Sequence, residues 1–233
     1  MTSDCDDVGE PAGPVERIPL PEKLTARVVE PGPVPRIFGY AVADDLAINY
    51  SFAETLLLSL SGALPDAAAG KAFEVALTFA APISVADAPS NAAGLAKLCA
   101  AASKNVIGVG AVLLAERAAS RLAELDGIFP WLEDPTLPFP HAARASSSVA
   151  LVSALRGALP PSFAAHPVFD RDPILDGALV AIFHACGLRR PERVLSAYTI
   201  AGLGCTVAEA FAVKSLNLRG YPMNLPPFVY EEP

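Results

Sequence analysis

The chain has 233 residues, of which 52% are hydrophobic and 18% charged, and its mean hydropathy is +0.40. So apolar a chain buries enough surface to offset its ordering entropy, which excludes a disordered polyampholyte. Its 17 basic residues against 25 acidic ones leave a formal charge of −8. That is the wrong sign for a domain whose affinity comes from neutralising phosphates, so the expected partner is a small molecule or a protein and not a nucleic acid.

The length suits one domain with a small appendage. The most apolar stretch, Val106–Ala115, lies between Lys104 and Glu116 and has the length of a buried core helix, not of a bilayer span. No membrane partner is expected. The start, Met1–Glu10, is acidic and has no positively charged segment ahead of an apolar run, so it does not read as a secretory signal. Cys5, Cys99, Cys186 and Cys205 show no C-x-x-C spacing. Free thiols in a cytoplasmic protein are expected, without a metal site.

Residues 1–35 are rich in proline and charge and read as an extended arm. Arg36–Tyr40 is the one short strand candidate. Ser51 with Glu54 forms a capping box for a helix over Ser51–Ser61, which Gly62-Ala63-Leu64-Pro65 stops. Further helices are predicted over Ala67–Ala80, Ser90–Ala102, Ile107–Leu125 and Ser146–Leu159, with Glu116, Arg117, Arg121 and Glu124 on a wet side of the fourth. Proline-rich patches at Phe129–His141 and Leu159–Pro173 read as loops. Pro173–Cys186 is helical by its apolar spacing, with Gly187 as a left-handed cap. Pro191–Leu216 closes the core, with a break expected near Gly202 and Gly204, and Gly220–Pro233 is an extended tail. The class is all-α with about eight helices, organised as an arm (1–35), a helical domain (36–219) and a tail (220–233).

Several segments in this order resemble the citrate synthase superfamily, most closely its short citryl-CoA lyase-like branch. Arg36-Ile37-Phe38-Gly39-Tyr40, Asp44-Asp45-Leu46 and Ser51-Phe52-Ala53-Glu54 followed by the leucine-rich helix and Gly62-Ala63-Leu64-Pro65 match the family's R-G-Y, D-L, S-F-x-E and G-x-L-P. Asn91-Ala92-Ala93 with Ala102-Ser103 is similar to N-x-S-T-x-A-A-R, and Ile174-Leu175-Asp176-Gly177-Ala178 to N-V-D-G-A. The resemblance spans roughly residues 36–216. It implies an all-α homodimer that makes or cleaves a carbon–carbon bond beside a coenzyme A thioester. In the family an aspartate removes the α-proton, one histidine stabilises the enolate and another polarises the acceptor carbonyl. Such a proton is weakly acidic, so the base must be poised and the enolate charge met by fixed donors.

On this resemblance Asp176 takes the place of the aspartate, and His166 in His166-Pro167-Val168-Phe169 that of one histidine. The G-P-L-H-G-G-A segment falls near Gly108–Leu114, with Ala111 in the histidine's place, and Ala201-Gly202-Leu203-Gly204 stands where a carboxylate-gripping arginine belongs. His166 and Asp176 are ten residues apart, where the family has a whole helix between.

Read without the resemblance, Asp176 is also an ordinary cap or first-turn acid. Asp170 and Asp172 share its turn, and mutual repulsion there would raise one pKa. His184 reads as a core histidine and His141 as a surface one. Arg189, Arg190 and Arg193 form the candidate grip on coenzyme A phosphates or a carboxylate, or else complement a helix C-terminus. Lys104-Asn105 is a weaker anion candidate. Gly108 and Gly110 make no dinucleotide fingerprint, since no strand precedes them. Two functions follow. One is an enzyme using enolate chemistry on a CoA thioester, a lyase or an acyltransferase, with no tightly bound cofactor. The other is a non-catalytic relative that binds a partner subunit or ligand.

Overall fold

The computed structural model describes residues 25–125, 127–143 and 149–213. A small antiparallel sheet comes first: β1 (Val29–Glu30), β2 (Arg36–Ile37) and β3 (Tyr40–Ala41), in that spatial order. Ile37 pairs with Tyr40 across a two-residue turn, Phe38-Gly39, in which both φ angles are positive. The expected strand is therefore two strands, and Val29 and Glu30, within the stretch read as an arm, form β1; residues 1–24 of that stretch lie outside the described residues.

A π-helical turn, Val42–Leu46, runs into α1 (Ala47–Asn49). Then come α2 (Phe52–Ser61), α3 (Ala67–Ala80), α4 (Ala88–Leu98), α5 (Ser103–Glu124), α6 (Ile128–Glu133), α7 (Val149–Ala158), α8 (Pro161–Ala164), α9 (Leu175–Ala185) and α10 (Pro191–Ala212). The fold is all-α. The capping box on α2 is formed in both directions: the Glu54 N–H donates to Ser51 Oγ at 3.2 Å and the Ser51 N–H to Glu54 Oε2 at 2.7 Å. Asp66 caps α3 through the Ala69 N–H. The helix turns α6 and α8 arise inside the proline-rich patches, where proline stands in the first turn of α8 and its missing N–H has no helical partner to lose.

α9 is the centre of the molecule. Gly177–Phe183 are buried without interruption, so the helix is enclosed on all sides, by α3, α6, α7 and α10. Phe73 of α3 meets Phe183 edge-on at 5.7 Å, and Phe183 meets Tyr198 of α10 at 5.4 Å. Gly187, at φ +96°, ends this helix region in the left-handed conformation expected of it.

The break expected in α10 does not occur. Gly202 lies at a close approach of α10 to α5: a Cβ there would stand 2.9 Å from Leu114 Cδ2 and 3.1 Å from Ile83 Cγ1. The glycine serves close packing, and the helix runs straight through. By length and composition α10 is able to cross a membrane, but it lies against α5, α4, α3 and α2. Its uncharged stretch, Val194–Ala208, is bracketed by Arg193 and Glu209. The C-terminal part of the predicted Pro191–Leu216 helix, the start of the Ser146–Leu159 helix and the tail lie outside the described residues.

Cys99, Cys186 and Cys205 are free thiols; Cys5 lies outside the described residues. Burial, with Asp66 nearby, pushes the Cys186 thiol up to about 12, so it stays protonated and unreactive. Among the described residues no cluster of three His, Cys, Asp or Glu is placed to hold a metal ion.

Two glycine substitutions should move stability in opposite directions. Gly202→Val forces Leu114 and Ile83 apart and should lower the unfolding free energy by about 1–3 kcal/mol. Gly157→Ala, on a face of α7 with nothing within 4 Å, should raise it by up to about 1 kcal/mol. Urea midpoints at unchanged slope measure both.

Candidate active site

Asp176 is the second residue of α9. Ile174 holds the N-cap position in extended backbone, and its N–H donates to the Ala143 carbonyl at 2.7 Å. Asp176 is therefore not the cap. Its charge still suits the positive end of the helix, but the carboxylate faces outward to other elements. Arg121 Nη1 of α5 forms an ion pair with Oδ2. The buried Tyr198 hydroxyl of α10 donates to the Asp176 carbonyl at 3.2 Å and lies 3.5 Å from Oδ1. Burial, and then the Asp176 charge, hold the Tyr198 pKa well above its ordinary value, so this hydroxyl stays a donor.

One turn earlier on α5, Arg117 Nη2 pairs with Asp87 Oδ2 of the α4 N-cap at 2.9 Å. The two arginines line an open cleft of about 480 Å³ between the start of α4 and the second half of α5. Pro89, Leu113, Glu116 and Glu124 complete its wall. Arg121 thus touches both the cleft and Asp176. The side chains of Arg121 and Asp176 retain 35% and 20% of their exposure, so the pair is partly open to solvent.

The remaining candidates lie elsewhere. His166 caps a 3-10 turn, Pro167–Arg171, with Nδ1 accepting the Val168 N–H at 3.2 Å. That fixes the neutral form with the proton on Nε2. Burial first, and the charge of His184 second, lower its pKa. His184 itself is nearly buried, 2.9 Å from Glu133 Oε1 and edge-on to Phe129 at 6.4 Å. It is a core histidine with an acidic partner, as its sequence setting suggested. It stands eight residues beyond Asp176 on α9, about 12 Å along the axis. The structure does not place His166 among the hydrogen-bond or ion-pair partners of Asp176.

The three carboxylates expected to crowd one turn have separate surroundings. Asp170 faces Arg156 at 3.6 Å, and Asp172 is exposed in left-handed backbone at φ +50°. The basic cluster also separates. Arg193 Nη1 donates to the Ser61 carbonyl at the end of α2, Arg190 is the N-cap residue of α10, and Arg189 is exposed. All three follow the C-terminus of α9, which lies about 14 Å from Asp176 along that helix.

Sequence reasoning missed Arg117, Arg121, Tyr198 and Asp87. Arg117 and Arg121 read as wet-side residues because nothing local marks a partner that lies 55 positions away, the separation of Arg121 from Asp176. The resemblance put a histidine's place near Ala111. That residue lies ten positions before Arg121 on the same helix, about 15 Å back along the axis. The α5 side chain that meets Asp176 is Arg121.

This architecture defines a citrate synthase-like all-α fold. The solved citryl-CoA lyase from Hydrogenobacter thermophilus shares it, with a TM-score of 0.58, 19% sequence identity, and cover of 90% of this chain and 97% of that one. No family model and no curated protein matches the sequence.

The His166 cap sets an expected pH dependence. Its folded pKa lies below its unfolded one, so the unfolded chain binds the proton more readily. Its contribution is complete above the ordinary histidine value of about 6.5 and is lost as the pH falls toward the lowered folded value. The melting temperature should drop between about pH 7 and pH 5, and His166→Asn should flatten that part of the curve.

Proposed function

We propose that this protein acts on a coenzyme A thioester as a divergent citryl-CoA lyase-like enzyme, with Asp176 as the base that opens enolate chemistry. One observation carries the reading: the first turn of a helix with a buried middle holds a partly exposed carboxylate, and its ion-pair partner Arg121 lines an open cleft. The likeness to a structure titled citryl-CoA lyase supports it. A fixed, partly desolvated carboxylate within reach of a ligand is what abstraction of a weakly acidic α-proton requires. Whether the enolate then makes or cleaves a carbon–carbon bond depends on the second reactant. Arg189 and Arg190, exposed beyond α9, are the proposed contacts for the phosphates. Arg193, held by Ser61, positions α10 instead.

The non-catalytic reading has its own observation. Both oxygens of Asp176 already have partners, as in a purely structural ion pair.

The two readings separate in heavy water. Acetyl-CoA incubated with the protein should exchange its α-protons, and Asp176→Asn should abolish the exchange while acetyl-CoA still raises the melting temperature. Binding without exchange in the parent protein would establish the non-catalytic reading. A flat melting temperature across a panel of acyl-CoA thioesters would remove both in their CoA form.

A homodimer is also proposed. Ile107, Val109 and Val112 on α5 and Ile200 and Phe211 on α10 are exposed, and exposed large apolar side chains on two helices that pack together suit a partner face. Light scattering at micromolar concentration should give twice the chain mass. A monomer would overturn the dimer.

A further inference from the structure

We propose that Arg121 is the catalytic residue that receives the enolate oxygen, the role for which this chain presents no histidine beside Asp176. The inference rests on the reading of Asp176 as the base.

Geometry makes the first argument. Arg121 is in contact with Asp176 through Nη1 and at the same time lines the cleft. A guanidinium has five donors in a planar fork, so one edge can hold the carboxylate while another faces a ligand oxygen. Arg117, one turn away, is held by Asp87, and His166 is engaged at the Val168 N–H. The buried Tyr198 hydroxyl steadies Asp176 from the other side.

Charge makes the second. The cleft wall carries Asp87, Glu116 and Glu124 against Arg117 and Arg121, an excess of one negative charge before Asp176 is counted. A ligand bearing a standing anion near the reacting carbon is repelled. An anion created in place by transfer to Asp176 is not, because the transfer adds no charge. The α-C–H bond breaks and its proton forms an O–H bond on the Asp176 carboxylate. The C–H electron pair becomes the enolate double bond, and the carbonyl π pair moves onto the thioester oxygen. Arg121 then exchanges one anionic partner, the carboxylate, for another, the enolate oxygen. The ion pair survives the step, so little reorganisation accompanies it. The acyl group that suits this cleft is uncharged beside its α-carbon.

The experiment is α-proton exchange of acetyl-CoA in heavy water by the parent protein and by Arg121→Lys, Arg121→Gln and Arg121→Ala. Circular dichroism and melting curves establish the folded fraction of each. Loss of an oxyanion donor should slow exchange roughly 10²–10³-fold in the Gln and Ala variants. Lys keeps the charge without the fork and should fall between. Guanidinium ion at non-denaturing concentration should restore part of the rate in the Ala variant, which leaves a space for it, and not in the Gln variant. A purely structural role predicts a loss that follows the folded fraction, without rescue. Exchange within about threefold of the parent in folded Arg121→Gln would overturn the assignment and leave Asp176 as base. Absence of exchange in the parent protein would overturn both.

Discussion

The burial of α9 on all of its sides governs this molecule. Seven consecutive residues, Gly177–Phe183, are buried, and α3, α6, α7 and α10 pack against this helix. α3 contributes Phe73 and α10 contributes Tyr198, and the edge-on aromatic chain through Phe183 ties the three together. A helix held in this way cannot shift along its axis without breaking the core. Its first turn is therefore a fixed platform, and Asp176 is the charged side chain that stands on it.

Two arginine–aspartate pairs then define one side of the molecule. Arg117–Asp87 joins α5 to the start of α4, and Arg121–Asp176 joins α5 to the start of α9. In both, the carboxylate sits at a helix N-terminus, where the helix dipole favours it. Neither pair is fully buried, so their contribution to stability is modest. Their effect is placement: they fix α5 at the mouth of the cleft and hold two guanidinium groups one helical turn apart.

The opposite end of α9 is built differently. His184 with Glu133 and Arg193 on the end of α2 are groups whose hydrogen bonds close segments of chain onto one another. These side chains do not line the cleft, whereas Arg117 and Arg121 both join helices and line it.

Much of the fold is legible in the sequence because its signals are local. The Ser51–Glu54 capping box, the apolar spacing of α9 and the glycine after it each act within a few residues, and each defines an element. The all-α class follows from them. Where packing overrides the local signal, the sequence misleads. Gly202 reads as a break, yet it lets α10 pass close to Leu114 and Ile83 and the helix continues. The proline patches read as loops but hold helical turns. The site divides along the same line. Asp176 stands out in the sequence by its motif. Its partners do not, since Arg121 is 55 residues away and Tyr198 is 22, on helices whose own periodicity marks them only as solvent-facing and core positions. The sequence by itself determined the helices and the carboxylate at the head of one of them. Only the tertiary structure decided which cation meets that carboxylate, because ion pairs between helices depend on how buried faces dock, and docking has no local code.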